Sequence, residues 1–362
     1  MILSNLTSTS ESWDEVKKAM ETPEQEAFRA NINKNRKNAQ ITALVVGLIM
    51  FAIPLILSGV IAKEWAVGAV LGAFLGIISA IFVLVISSSS NKKKISASVV
   101  PYVVKSVLGK DAVYEGSAGF SRKFLSSLKA FPVNILNQTD RIHGSYLGVP
   151  FMCSDVTSFH YETRTTGKNT YTTTVVDFTG SIFVYRFNKP SDAIIRIIQK
   201  GFIGNLYFSG KAEKLETESI QFNNTYTMLV NDKEQALFVM TPQNILATVD
   251  CSNYVKGRLL FLIDKENLII VASGPTRPLS DAVSGKFDDA DLMKMANMLT
   301  PVKAFIKTLD LTNTYWRDIE RLKNYTPDYL VREFGGPGKS GSRSGYTKGH
   351  GSMLFDEMFR DD

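Results

Sequence analysis

Apolar and polar positions divide this chain into four stretches of different rhythm. From Met1 to Gln40 the chain is mostly polar, with short apolar interruptions. From Ile41 they become continuous: "ITALVVGLIMFAIPLILSGVIA" (41–62) and "AVGAVLGAFLGIISAIFVLVI" (66–86) carry no charge, and only "KEW" separates them. From 95 to 334 helical and strand periods alternate, and from 335 the chain turns to Gly, Ser and Lys. As helix, at about 1.5 Å per residue, each apolar run covers roughly 30 Å, the thickness of a bilayer core. The expectation is a transmembrane hairpin over 41–86, with spans at 41–62 and 65–86 and Trp65 as an interfacial anchor. A turn as short as Lys63-Glu64 makes the two helices antiparallel neighbours. Gly68, Gly72 and Gly76 recur every four residues and predict a close helix–helix approach. Pro54 predicts a kink that a neighbouring helix tolerates. A cleavable signal peptide does not fit the forty mostly polar residues before Ile41.

Charge gives the expected orientation. Arg29, Lys34, Arg36 and Lys37 precede the first run, Lys92, Lys93 and Lys94 follow the second, and the turn pairs one Lys with one Glu. Positive residues stay inside, so the expectation is a multi-pass cell-membrane protein with both termini cytoplasmic. The formal charge of +6 is modest. Its placement near Arg36, Lys37, Lys92, Lys93 and Lys94 points to anionic lipid head groups and against a nucleic-acid partner. Two cysteines, Cys153 and Cys251, are too few for a disulfide-stapled fold and imply reduced thiols.

The flanking segments read as follows. Residues 1–40 form a helical arm, with the Ser-x-x-Glu of Ser12–Glu15 as a capping box and Thr22-Pro23 as a fresh helix start. Residues 95–334 read as one cytoplasmic α+β domain with a largely antiparallel sheet and flanking helices. Short helices are expected after Pro101 and within "SAGFSRKFLSSLKAF", and strands from Arg141 onward. "TGKN" turns one long strand into the next. Apolar residues occupy even positions up to Phe178 and odd ones at Phe183, Tyr185 and Phe187, so a bulge or bend is expected at Gly180. "GRLLFLI" and "NLIIVAS" flank "DKE" and read as a buried hairpin. Asp232, with Gln235 three residues on, predicts a capped helix, and Thr241-Pro242 and Thr300-Pro301 each start another. Residues 335–362 read as a flexible tail.

Three stretches carry a family likeness: "FTGSIFVYRFNKP" (178–190), "LETESIQFNNTYTMLVNDKEQALFVMTP" (215–242) and "GRLLFLIDKENLIIVA". On them, residues 140–311 resemble the bacterial domain-of-unknown-function family 3137. The resemblance implies a membrane-anchored protein, and brings neither an assigned reaction nor catalytic residues.

The chemical candidates are few. Gly338-Lys339-Ser340 ends like a phosphate loop, yet Glu333 stands where the first glycine belongs, and no strand leads in. His160 and Glu162 alternate along a strand and share a face, which suits either an oriented imidazole or a casual polar pair. Asp288, Asp289 and Asp291 suit either a cation or a helix N-terminus. The histidines His143, His160 and His350 are scattered, no Cys/His cluster has zinc spacing, and no cofactor is expected. Phe183, Tyr185 and Phe187 fit a core better than a base-stacking face. In the tail, Met353, Leu354, Phe355, Met358 and Phe359 form an apolar cluster on a tether, suited to docking a protein partner. The function expected is non-enzymatic binding or scaffolding at the membrane, with an enzyme acting on a membrane-proximal substrate as the alternative.

Overall fold

The structure is a computed structural model and describes residues 17–18, 21–58, 65–166, 169–202, 212–283, 287–312, 325–337 and 339–340. These fall into two compact units, the first drawn from 1–103 and 279–295, the second from 104–278 and 296–362.

The first unit is built on a helical hairpin, α1 (Pro23–Leu57) and α2 (Trp65–Ser98). Thr22 caps α1 by accepting from Gln25 N at 3.4 Å, Pro23 opens its first turn, and the helix runs on through Pro54. Of α2 only Gly68, Gly72, Gly76 and Ile95 are buried. A Cβ at Gly72 would stand 2.4 Å from the Phe51 carbonyl oxygen, and one at Gly76 2.8 Å from that of Gly47. Backbone thus packs on backbone, as the glycine spacing predicts.

The polar end of the hairpin is strapped by residues 279–295. Lys92 pairs with Asp281 at 2.8 Å. Asn33 donates to the Phe287 carbonyl at 3.2 Å and accepts from its N–H at 2.8 Å. Arg29 pairs with Asp289 and lies over the Phe287 ring.

The second unit centres on an eight-stranded sheet in which every pairing is antiparallel. Helix α3 (Val100–Leu108) leads into β1 (Val113–Glu115), β2 (Ala118–Phe120) and α4 (Arg122–Ser127). The long strands β3 (Ile135–Tyr146), β4 (Val149–Thr166) and β5 (Asn169–Gln199) follow. Next come β6 (Glu213–Leu215), α5 (Ile220–Thr225), β7 (Tyr226–Val230), α6 (Lys233–Val239), α7 (Pro242–Cys251) and β8 (Arg258–Ser273). After α8 (Asp289–Met298) and α9 (Thr300–Thr308), α10 (Pro327–Phe334) leads into β9 (Gly335–Pro337) and β10 (Lys339–Ser340). The order is β1-β3-β4-β5-β7-β6, with β10 also on β3 and β8 along the other edge of β5; β2 and β9 form a separate two-stranded sheet.

Both faces of the sheet are covered. On one, Ile182, Val184, Leu260 and Ile269 pack with Phe124 and Leu125 of α4 and Leu330 and Phe334 of α10. On the other, Phe183 and Tyr185 meet Phe305 of α9 edge-on.

Three expectations are corrected here. First, the two halves of "GRLLFLIDKENLIIVAS" do not pair with each other. They are one strand, β8, and each half pairs with an apolar half of β5, Ile182–Arg186 and Ile194–Ile198. Lys265 takes a left-handed φ of 53° at the bend between them. Second, the register slip lies at Asp177, between the pairs Ser158↔Phe178 and Phe159↔Val176, while Gly180 pairs regularly with Val156. Apolar residues occupy both parities beyond Gly180 because both faces are buried. Gly180 is needed for a different reason, since a Cβ there would stand 2.2 Å from the Ala272 carbonyl oxygen. Third, Gly335–Pro337, expected to begin a flexible tail, pair with Ala118–Phe120. Arg141 fixes that pairing by donating to the Gly119 and Gly336 carbonyls at 3.1 and 3.2 Å.

Candidate functional site

The register slip that bulges Asp177 out of β5 brings its carboxylate to His160 on β4. His160 Nδ1 and Asp177 Oδ1 are 2.7 Å apart, and Asn134 donates to the other carboxylate oxygen at 2.9 Å. The far ring nitrogen, Nε2, lies 3.6 Å from Glu162, which in turn accepts from Arg164 at 2.9 Å. Arg164 holds the Glu162 carboxyl below its usual range. The His160–Glu162 pairing expected from alternation is therefore present, but the closer partner of the imidazole is Asp177. A cross-strand partner at a bulge has no signature in sequence spacing.

Asp177 also lines an open groove of about 700 Å³ whose cationic side chains are Lys256 and Arg258. An oriented imidazole beside a carboxylate is one part of acid–base machinery. Here, however, Nε2 faces a second carboxylate and not a hydroxyl, so the arrangement is a row of polar contacts, Asp177–His160–Glu162–Arg164.

A second polar cluster lies within the sheet. Ser181 donates to Asp155 at 2.6 Å, and Tyr114 donates to Asp140 at 2.6 Å. Burial pushes the Asp155 carboxyl up to about 7, against the Ser181 hydrogen bond and with help from Asp140.

The remaining candidates take structural places. Asp288 accepts from Asp291 N at 3.2 Å, Asp289 pairs with Arg29, and the buried Asp291 carboxylate pairs with Lys294 at 2.9 Å. These aspartates start α8, and no group of three metal-ligating side chains is found among the described residues. Lys339 and Ser340 pair with Asn137 and Leu136 as strand, unlike a loop that cradles phosphate. Cys153 and Cys251 are buried thiols whose pKa burial raises, and burial lowers that of His143. His350 and the tail cluster Met353, Leu354, Phe355, Met358 and Phe359 lie outside the described residues, as does Ser12–Glu15.

Fold and geometry together define an α+β protein with a helix-covered antiparallel sheet and a pair of long apolar helices. Residues 176–311, from the bulge in β5 to the end of α9, match the model of the family described as "Protein of unknown function (DUF3137)". The match begins within β5, later than the expected Asp140, and the apolar hairpin lies outside it. No curated protein matches the chain. Among solved structures, the mycobacterial trehalose monomycolate transport factor A, TtfA, aligns at 7% identity over 61% of this chain and 96% of that one. Its TM-score is 0.32, too low for any inference to be taken from it.

Proposed function

We propose that this chain is a two-span membrane protein whose α+β domain is held at the cytoplasmic face and serves binding or scaffolding, not catalysis. One observation carries the anchoring: the large apolar side chains of α1 and α2 point outward. Leu48, Val70 and Phe74 are 60%, 72% and 65% exposed, while the buried stripe is glycine. A soluble core helix does the reverse and buries its large side chains. An uninterrupted apolar surface of this extent is stable in lipid and a strong aggregation hazard in water. The basic residues Arg36, Lys37, Lys92, Lys93 and Lys94 flank the apolar segments and support attraction to anionic head groups.

The non-enzymatic reading is supported by the partners of each chemical candidate. The aspartates at 288–291 are engaged in helix capping and ion pairs, and the imidazole of His160 stands between two carboxylates. The tail cluster around Phe355 supports a protein-docking role.

Single cysteines at Glu64 and Lys110, labelled in intact cells with a membrane-impermeant maleimide, test the arrangement. Labelling at position 64 alone is expected; labelling at position 110 refutes the cytoplasmic placement. Both native cysteines are buried, so background is low.

A further inference from the structure

The hairpin of β4 and β5 outgrows its sheet. β3 follows β4 only as far as Phe159, and β8 follows β5 only as far as Gly180. Beyond those points residues 160–166 pair with 169–175 alone, and among the described residues no strand lies along either outer edge. A two-stranded ribbon by itself is marginal in water, and an open edge of N–H and C=O groups is a template for another strand. Lys, Pro or a bulge would blunt such an edge, yet "HYETRTT" (160–166) has none of these.

We propose that this edge of β4 pairs with the same edge of a second copy of the chain, antiparallel, about a two-fold axis at Thr163. The charge order selects the occupant. Glu162-Thr163-Arg164 is its own complement under that axis, so Glu162 of each copy falls opposite Arg164 of the other. Tyr161 then faces Thr165 on the opposite side of the ribbon, an aromatic–β-branched pair of the kind that stabilises sheets. Moving the axis by one residue sets Glu162 against Glu162 or Arg164 against Arg164, which is destabilising. The charges therefore fix the register as well as the partner. Thr163 and Arg164 are exposed, and Glu162 is half-exposed, so the edge is accessible.

The test uses the full-length protein with Thr163→Cys under mild oxidation. The axis brings the two thiols within disulfide reach. Thr172→Cys is the control, because Thr172 lies on the next strand in and its two copies would be about 14 Å apart. A covalent dimer is expected for Thr163→Cys and not for Thr172→Cys. Adding Glu162→Arg should cut dimer formation by about tenfold, and adding Arg164→Glu to that variant should restore it. Equal cross-linking at both positions overturns the proposal, as does a yield indifferent to the single charge reversal. Unchanged thermal unfolding of each variant confirms the fold. A monomeric mass for the unmodified protein by analytical ultracentrifugation also overturns the proposal.

Discussion

Asp155 ties the stability of the fold to pH. Its carboxyl is pushed up to about 7 from an ordinary value near 3.8, chiefly by burial. The folded chain thus holds this proton more tightly than the unfolded chain does. The stabilisation is present in full below about pH 4 and is lost as pH rises towards 7. A shift of that size corresponds to at most about 4 kcal/mol, and partial solvent contact brings it to the order of 2 kcal/mol. Asp155→Asn, which keeps the shape and removes the ionisation, should flatten the slope between pH 5 and pH 8. Urea denaturation at the two pH values reads this directly; an unchanged slope would assign the pH dependence to other groups. None of this was visible in the sequence, where Asp155 is one polar residue in a strand. Its burial depends on β3 and β5 lying on either side of β4. His160 is similar: its alternation with Glu162 was legible, but its tighter partner Asp177 depends on a bulge that no local pattern marks.

Elements were legible where their signals are local. Thr22-Pro23 and Asp232 start helices with a side-chain cap, and Thr300-Pro301 opens one with proline in its first turn but no capping hydrogen bond. Asp232 accepts from Glu234 N at 3.0 Å and from Gln235 N at 3.1 Å. Gln235 does not complete the capping box. Its side-chain oxygen accepts instead from Ser191 Oγ and Asp192 N, tying α6 to the irregular middle of β5. Asp232→Ala should therefore destabilise the fold by about 1 kcal/mol, and Asp232→Asn by much less, measured by thermal unfolding. Pairing between elements was harder to read. β8 looks like a hairpin because two apolar runs flank "DKE", and only the 31-residue length of β5 offers a partner for both halves. Glycine spacing in α2 was the exception, a long-range contact written locally. Gly72→Val places side-chain atoms against the Phe51 carbonyl, which as backbone cannot step aside. It should separate α1 from α2, seen as a lower thermal unfolding temperature of the full-length protein in detergent, whereas Val70→Leu on the exposed face should leave that temperature unchanged.

At the scale of the whole molecule, one chain carries two surfaces of opposite character. The sheet unit buries Ile, Val, Leu and Phe on both faces behind helices. The helical hairpin buries glycine and presents its large side chains outward. The division was readable from the contrast between continuous and alternating apolar patterns. The docking of 279–295 onto the hairpin through Arg29, Asn33 and Lys92 was not, because its partners lie about 190 to 260 residues apart in sequence. The most direct measurement of the central claim is alkaline-carbonate extraction of membranes from cells making the full-length protein. Retention of the chain in the lipid pellet, with release only by detergent, is the predicted result. Its appearance in the carbonate supernatant would contradict the reading of α1 and α2 as membrane spans.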